Sequence, residues 1–200
     1  MKNRTAKPKV WQDHYTRQAK KEHYPARSVY KLQEIQKKFN LIQKGYRVLD
    51  LGCAPGAWLL YAAEVTGPGG VVIGVDLKPV EVTLPRHVTA YVGDMLDRQD
   101  ACLMEVGNGF HVVLSDMAPA TTGAKDVDAI RSYELCMAAL EIACECLAPG
   151  GAFVCKIFQG EDFKAFTEAV RAAFHQQKIF KPQSSRKASK EIYIIGIGKK

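Results

Sequence analysis

The 200-residue chain lacks the features that mark export, membrane insertion or a structural metal. No run approaches the ~18 uninterrupted apolar residues of a membrane span. The opening stretch MKNRTAKPKVWQDHY has no apolar segment, so a secretory signal is not expected. The six cysteines (53, 102, 136, 144, 146 and 155) form no CxxC pair and have no histidine at ligand spacing, so no zinc site is expected. The five histidines are scattered, and internal repeats and low-complexity segments are missing. These absences point to a reduced, cytoplasmic protein without metal or membrane partner.

What is present is an ordinary globular composition, with 47% hydrophobic and 24% charged residues. A chain this long buries roughly 70% of its unfolded surface without staples, and one domain is the leading expectation. The charge is unevenly placed. Residues 1–47 carry a net of +10, residues 48–177 a net of −9, and residues 178–200 a net of +6. Two basic ends on an acidic body suit a polyanion that touches those ends.

Hydrophobic runs set against breakers alternate between strand and helix. Helices are predicted at 28–39, 57–65, 128–147 and 161–175, and strands at 46–51, 71–76, 88–92, 110–116, 152–158, 176–181 and 191–198. A polar helical stretch is expected between the third and fourth strands. This order predicts an α/β fold with a mostly parallel seven-stranded sheet and helices on both faces. About ten residues separate the last two strands, too few for a crossover helix, so the final strand should run antiparallel. Ligands on such a sheet sit at the carboxyl ends of the parallel strands.

The first strand ends in Asp50-Leu51-Gly52-Cys53-Ala54-Pro55-Gly56-Ala57-Trp58. Glycines at Gly52 and Gly56 allow close approach of a ligand. The GxGxxG dinucleotide pattern fails because Ala54 stands where its second glycine belongs, and no Walker Lys-Ser/Thr follows the turn. Asp76 closes the second strand, placed to accept ribose hydroxyls, and Asp94 follows the third, placed to meet an adenine edge. Together they describe a nucleoside pocket without phosphates, for which S-adenosylmethionine is the candidate.

Three further charges fall at the same rim. Asp116 ends the fourth strand, Lys156 interrupts the apolar run AFVCKIF, and Glu191 opens the final strand. A lysine inside such a run is costly unless paired or neutral. Lys31, on the first predicted helix, is not brought to this rim by spacing alone.

The motifs RSVYKL, DLGCAPGAW, SDMAPATTG, LAPGGAFVCKIFQGEDF and SSRKASKEIYI occur in one order across residues 12–198. In these the chain resembles the FtsJ/RrmJ (RlmE) family of ribosomal RNA 2′-O-methyltransferases. The resemblance implies a Rossmann-like, S-adenosylmethionine-dependent methyltransferase domain over residues 1–200, with 1–26 a basic arm and 27–200 the catalytic core. It implies a Lys-Asp-Lys-Glu catalytic set of Lys31, Asp116, Lys156 and Glu191. It also implies cofactor contacts at Gly56, Trp58, Asp76, Asp94 and Asp116, with Gly52 in the same turn. Two departures from the family pattern stand out: Ala57 replaces a glycine in APGGW, and Ala120 replaces an asparagine in DMAPN.

The reaction so implied moves a methyl group from a sulfonium to a ribose 2′-hydroxyl. Lys156 is expected as general base, with Lys31 as neighbouring cation and the two acids holding the lysines in register. An unperturbed lysine is protonated at neutral pH, so the base role needs a depressed pKa. RNA contacts are expected from Lys20, Lys21, Arg27 and Lys31 with Tyr15, Tyr24 and Tyr30, and from Ser184, Ser185, Arg186 and Lys187. The implied partner is a uridine in large-subunit rRNA, within the assembling or assembled subunit; a monomer is expected. Rival readings are a tRNA or mRNA-cap methyltransferase, a non-catalytic RNA-binding assembly factor, and a nicotinamide oxidoreductase.

Overall fold

The computed structural model describes residues 14–97, 100, 105–120, 122–186 and 189–200. Seven strands form one sheet: β1 (Arg47–Leu51), β2 (Val71–Asp76), β3 (Val88–Val92), β4 (Phe110–Ser115), β5 (Leu147–Phe158), β6 (Phe174–Phe180) and β7 (Glu191–Lys199). The helices are α1 (His14–Lys21), α2 (Val29–Phe39), α3 (Ala57–Thr66), α4 (Lys125–Cys146) and α5 (Phe163–Ala173). Strand order across the sheet is β3-β2-β1-β4-β5-β7-β6. The first five pair in parallel, and β7 runs antiparallel between β5 and β6. The predicted seven-stranded architecture is therefore the observed one.

The strands are apolar on both faces because helices cover both. With a side-chain period of two, alternate residues feed opposite cores. Leu49, Leu51, Val113, Phe153 and Cys155 pack with α4 and α5. Val48, Val112, Leu114, Val154, Tyr193 and Ile195 pack with α2 and α3. The second parity carries the chemistry, since continuing it along each strand reaches Asp50, Asp116, Lys156 and Glu191. Chain direction reverses its lateral progress between β1 and β4, and a crevice is expected beyond their carboxyl ends.

Element boundaries differ from expectation in instructive places. Strand β5 starts at Leu147, because Leu147 pairs with Phe110 before the Pro149–Gly151 irregularity and pairing resumes at Ala152↔Val112. Helix α4 starts at Lys125, where Asp128 accepts backbone N–H groups of Thr122 and Gly123 and fixes the approach. Helix α1 lies within the segment expected to be a basic arm. It docks through buried Ala19 and through the Tyr24 hydroxyl, which donates to both Glu64 carboxylate oxygens at 2.7 Å. Part of the polar stretch after β3 lies outside the described residues.

Close approach of β2 to the β1–α3 turn requires Gly74. A Cβ there would lie 2.7 Å from Cys53 Sγ and 2.7 Å from Leu59 Cδ2. Gly74→Ala is expected to cost about 1–3 kcal/mol through overpacking. Thermal unfolding should show a midpoint lowered by roughly 2–10 °C.

Candidate active site

The turn after β1 is shaped by backbone hydrogen bonds. Gly52 N–H donates to Val75 O at 2.8 Å, and Gly56 N–H to Cys53 O at 2.7 Å. Gly52 has φ +73°, and a Cβ on it would stand 2.4 Å from Met117 Cγ, so the position demands glycine. The Asp76 carboxylate spans the turn, accepting Ala54 N–H at 2.9 Å and Lys78 N–H at 2.8 Å. Each oxygen keeps a second lone pair for a ligand.

Beside this turn lies a cavity of about 360 Å³, bordered by Gly52, Asp76, Asp94 and Asp116 and by the apolar Leu77 and Leu96. Asp116 being ion-paired with Lys156, the carboxylates of Asp76 and Asp94 outnumber the one ammonium of Lys78, which makes the space favour a cation over a phosphate chain. Leu77 is 69% and Leu96 41% exposed, large apolar surfaces at the mouth where an aromatic ring could lie. A smaller adjoining cavity is bordered by Ser28, Asp50, Trp58 and Asp116.

Asp116, on the border of that smaller cavity, belongs to the first of two ion pairs that meet around Tyr193. Lys156 Nζ lies 3.0 Å from Asp116 Oδ1 and also donates to the Asp116 backbone oxygen. Lys31 Nζ lies 2.8 Å from Glu191 Oε2. The Tyr193 hydroxyl donates to Asp116 Oδ1 at 2.6 Å, so Lys156 and Tyr193, opposite each other in the β5–β7 register, grip one carboxylate. The Lys31 ammonium lies 6.0 Å from the Tyr193 ring centroid, within cation–π range. Burial and the Asp116 carboxylate push the Tyr193 phenol far above its usual value, so it remains a donor.

The profile of FtsJ-like methyltransferases matches residues 24–199. This chain belongs to the FtsJ-like methyltransferase family. Among its relatives, "Ribosomal RNA large subunit methyltransferase E" of Desulforapulum autotrophicum is 60% identical over 203 residues, covering 100% of both chains. The protein of that name from Desulfosudis oleivorans is 52% identical, with 100% of this chain and 97% of the relative covered. A crystal structure described as a ribosomal RNA methyltransferase from Plasmodium falciparum superposes with TM-score 0.77 at 25% identity, covering 88% of this chain and 98% of that one.

Within this methyltransferase, Lys31, Asp116, Lys156 and Glu191 converge as two adjoining pairs. Gly52, Asp76, Asp94 and Asp116 border the larger cavity, and Trp58 the smaller one. The Trp58 indole N–H donates to Ser28 O at 2.9 Å. Gly56, at φ +104°, borders neither cavity; a Cβ on it would meet Val80 and Val82 at 2.9 and 3.0 Å. Lys20 and Lys21 are exposed at the end of α1. The expected stacking role of Tyr24 and Tyr30 does not fit, because packing of α1 leaves them 9% and 5% exposed. Tyr30 instead donates to Glu22 Oε2 at 2.8 Å. The Ser185 hydroxyl is buried, Arg186 is exposed, and Lys187 lies outside the described residues.

Sequence reasoning missed Glu34, Asp50 and Tyr193. Glu34 accepts Gln183 N–H at 2.7 Å and Ser184 N–H at 2.8 Å, tying the β6–β7 loop to α2. Tyr193 was findable, since it follows Glu191 by two on the same strand face. Asp50 is 1% exposed and its Oδ2 has no hydrogen-bond partner. Burial, with Asp116 and Asp76 nearby, raises its carboxyl well above the ordinary range.

A raised acid holds its proton in the folded state above the pH at which the unfolded chain loses it. Its stabilising contribution is therefore full below the unfolded value and is lost as pH rises toward the folded one. Asp50→Asn removes this dependence. Thermal unfolding measured at rising pH should show the variant gaining on wild type once the pH passes the ordinary carboxylate range; parallel curves would place the proton elsewhere.

Proposed function

We propose that this methyltransferase transfers a methyl group from S-adenosylmethionine to the 2′-hydroxyl of a uridine in large-subunit ribosomal RNA, acting in the cytoplasm as a monomer. The observation that carries the reading is the meeting of two lysine–carboxylate pairs at the lip of an acidic, phosphate-averse cavity. The names of the relatives above support the RNA class. No helix among the described residues is long and apolar enough to cross a membrane, and they contain no acid, histidine or cysteine cluster suited to a metal.

The residues present suit the cofactor. Asp76 retains lone pairs for a ribose diol, Asp94 stands beside the Leu77–Leu96 mouth, and the carboxylates favour a cation. When bound, S-adenosylmethionine would supply a methyl group already activated by its sulfonium. What this chain must add is alignment and removal of one proton. Lys156, Lys31 and Glu191 line the approach of a sugar oxygen, and alignment alone can contribute several kcal/mol. Lys156 Nζ is the proposed proton acceptor, general-base assistance being worth about 10²–10⁴ in rate. Asp116, gripped by Tyr193, fixes the Lys156 amine. Glu191 fixes Lys31, which presents a donor to the same oxygen.

The 3.0 Å contact of Lys156 with Asp116 favours a second reading, in which Lys156 stays an ammonium and only orients the hydroxyl. Single-turnover rates against pH separate the two. A base must first lose its own proton, so the rate should climb with pH in wild type. Lys156→Met should lower the rate by about 10²-fold or more and flatten the climb, with S-adenosylmethionine affinity nearly unchanged. A pH-independent wild-type rate would leave the orienting role. Calorimetry should show the converse for Asp76→Ala, a marked loss of cofactor affinity. RNA binding should weaken steeply with salt; a flat salt dependence would remove the two basic ends from the proposal.

A further inference from the structure

A separate cavity of about 210 Å³ opens beside the Lys31–Glu191 pair, bordered by Arg27, Ser28, Lys31, Arg186, Ser189 and Glu191. Ser28 also borders the small cavity that reaches Asp116, so the two spaces adjoin through one residue. Its charge is unbalanced. Two guanidinium groups and one ammonium face it, against a single carboxylate that Lys31 already engages at 2.8 Å.

The guanidinium groups are held there against their mutual repulsion. Arg27 donates to Ser184 O and lies 5.4 Å from the Tyr15 ring centroid. Glu34 ties Gln183 and Ser184 to α2, so the loop carrying Arg186 is fixed relative to Arg27. Burial and the charge of Arg186 both lower the pKa of Arg27, and Glu191 opposes them. A guanidinium presents five N–H donors in a planar fork. Paired forks of this kind match the oxygens of a phosphate.

Ribose chemistry then specifies which phosphate. The 3′ phosphodiester is joined through one oxygen to the ring carbon next to the one bearing the 2′-hydroxyl. The 5′ phosphate leaves from the opposite side of the ring through an additional carbon. The 3′ phosphate is thus the nearer of the two to the 2′-oxygen, and for a sugar whose 2′-oxygen sits among Lys156, Lys31 and Glu191 it is the one within reach of the neighbouring cavity. We propose that Arg27 and Arg186 clamp the phosphodiester on the 3′ side of the ribose to be methylated. This rests on the ribose-hydroxyl acceptor of the preceding subsection and adds the group that orients it.

Mononucleotides test the assignment. Uridine 3′-monophosphate and uridine 5′-monophosphate are compared as inhibitors of methyl transfer to large-subunit particles by the intact enzyme. The 3′ isomer should inhibit at a concentration about tenfold lower, the effect of one charge-assisted contact. In Arg186→Ala the two isomers should inhibit alike, with cofactor affinity and thermal midpoint as in wild type. Arg27→Lys, which keeps the charge and loses the fork, should narrow the gap. Equal inhibition by both isomers in wild type, inhibition by neither, or a gap that persists in Arg186→Ala would overturn the clamp. Mapping the methylated atom in the same reactions checks the underlying reading separately, because a methyl on a base would sink that reading whatever the isomers do.

Discussion

Burying Lys156 is the constraint on which the rest depends. Its side chain is 7% exposed, at a depth where an unpaired ammonium would cost several kcal/mol. The fold meets that cost with a carboxylate and a backbone carbonyl from the adjacent β4 end and with a phenol from β7 that fixes the carboxylate. Each partner depends on strand order: β4 must lie on one side of β5 and β7 on the other. Side-chain parity must also agree, so that Asp116, Lys156 and Tyr193 share the face covered by α2 and α3. A one-residue slip of β7 would turn Tyr193 and Glu191 toward α4 and α5, leaving Asp116 without its phenol and Lys31 without its carboxylate.

Much of this was legible in the linear sequence, for reasons that differ by element. The parallel strands are short apolar runs bounded by glycine or proline turns, and their type and order follow from that punctuation. Asp76, Asp116 and Glu191 were findable because each ends or begins a strand, and strand ends share one rim. Lys31 was not, since its place depends on how α2 crosses the sheet, a packing property that spacing does not encode; only resemblance supplied it. Asp50 was overlooked because an acid in a buried strand announces nothing about whether its carboxyl is charged. Helix α1 was hidden by its charge. It holds through Ala19 and the Tyr24–Glu64 hydrogen bonds, contacts 40 residues apart in the chain for the latter.

The two halves of the site are built differently. On the proposed cofactor side the ligating surface is largely backbone: a turn whose glycine admits no Cβ and an aspartate already organised by two amide donors. Such a surface is set once the sheet forms. On the proposed RNA side it consists of long side chains, and their placement relies on crosslinks to the β6–β7 loop from Glu34 on α2 and from Arg27 just before it. The departure at Ala57 lies on the first side and is sterically small, its side chain being buried at the start of α3. The departure at Ala120 lies in the loop before α4.

The position of β7 bears on how the molecule is born. That strand supplies Glu191 and Tyr193, yet it is threaded between two strands made earlier, β5 and β6. During synthesis the first five strands can pair while the nascent chain still lacks β7. Such a precursor holds the glycine turn and both members of the Lys156–Asp116 pair, but neither the acid that engages Lys31 nor the phenol that grips Asp116. Under the proposed roles, competence for chemistry would wait until β7 slides into the slot between its two elders.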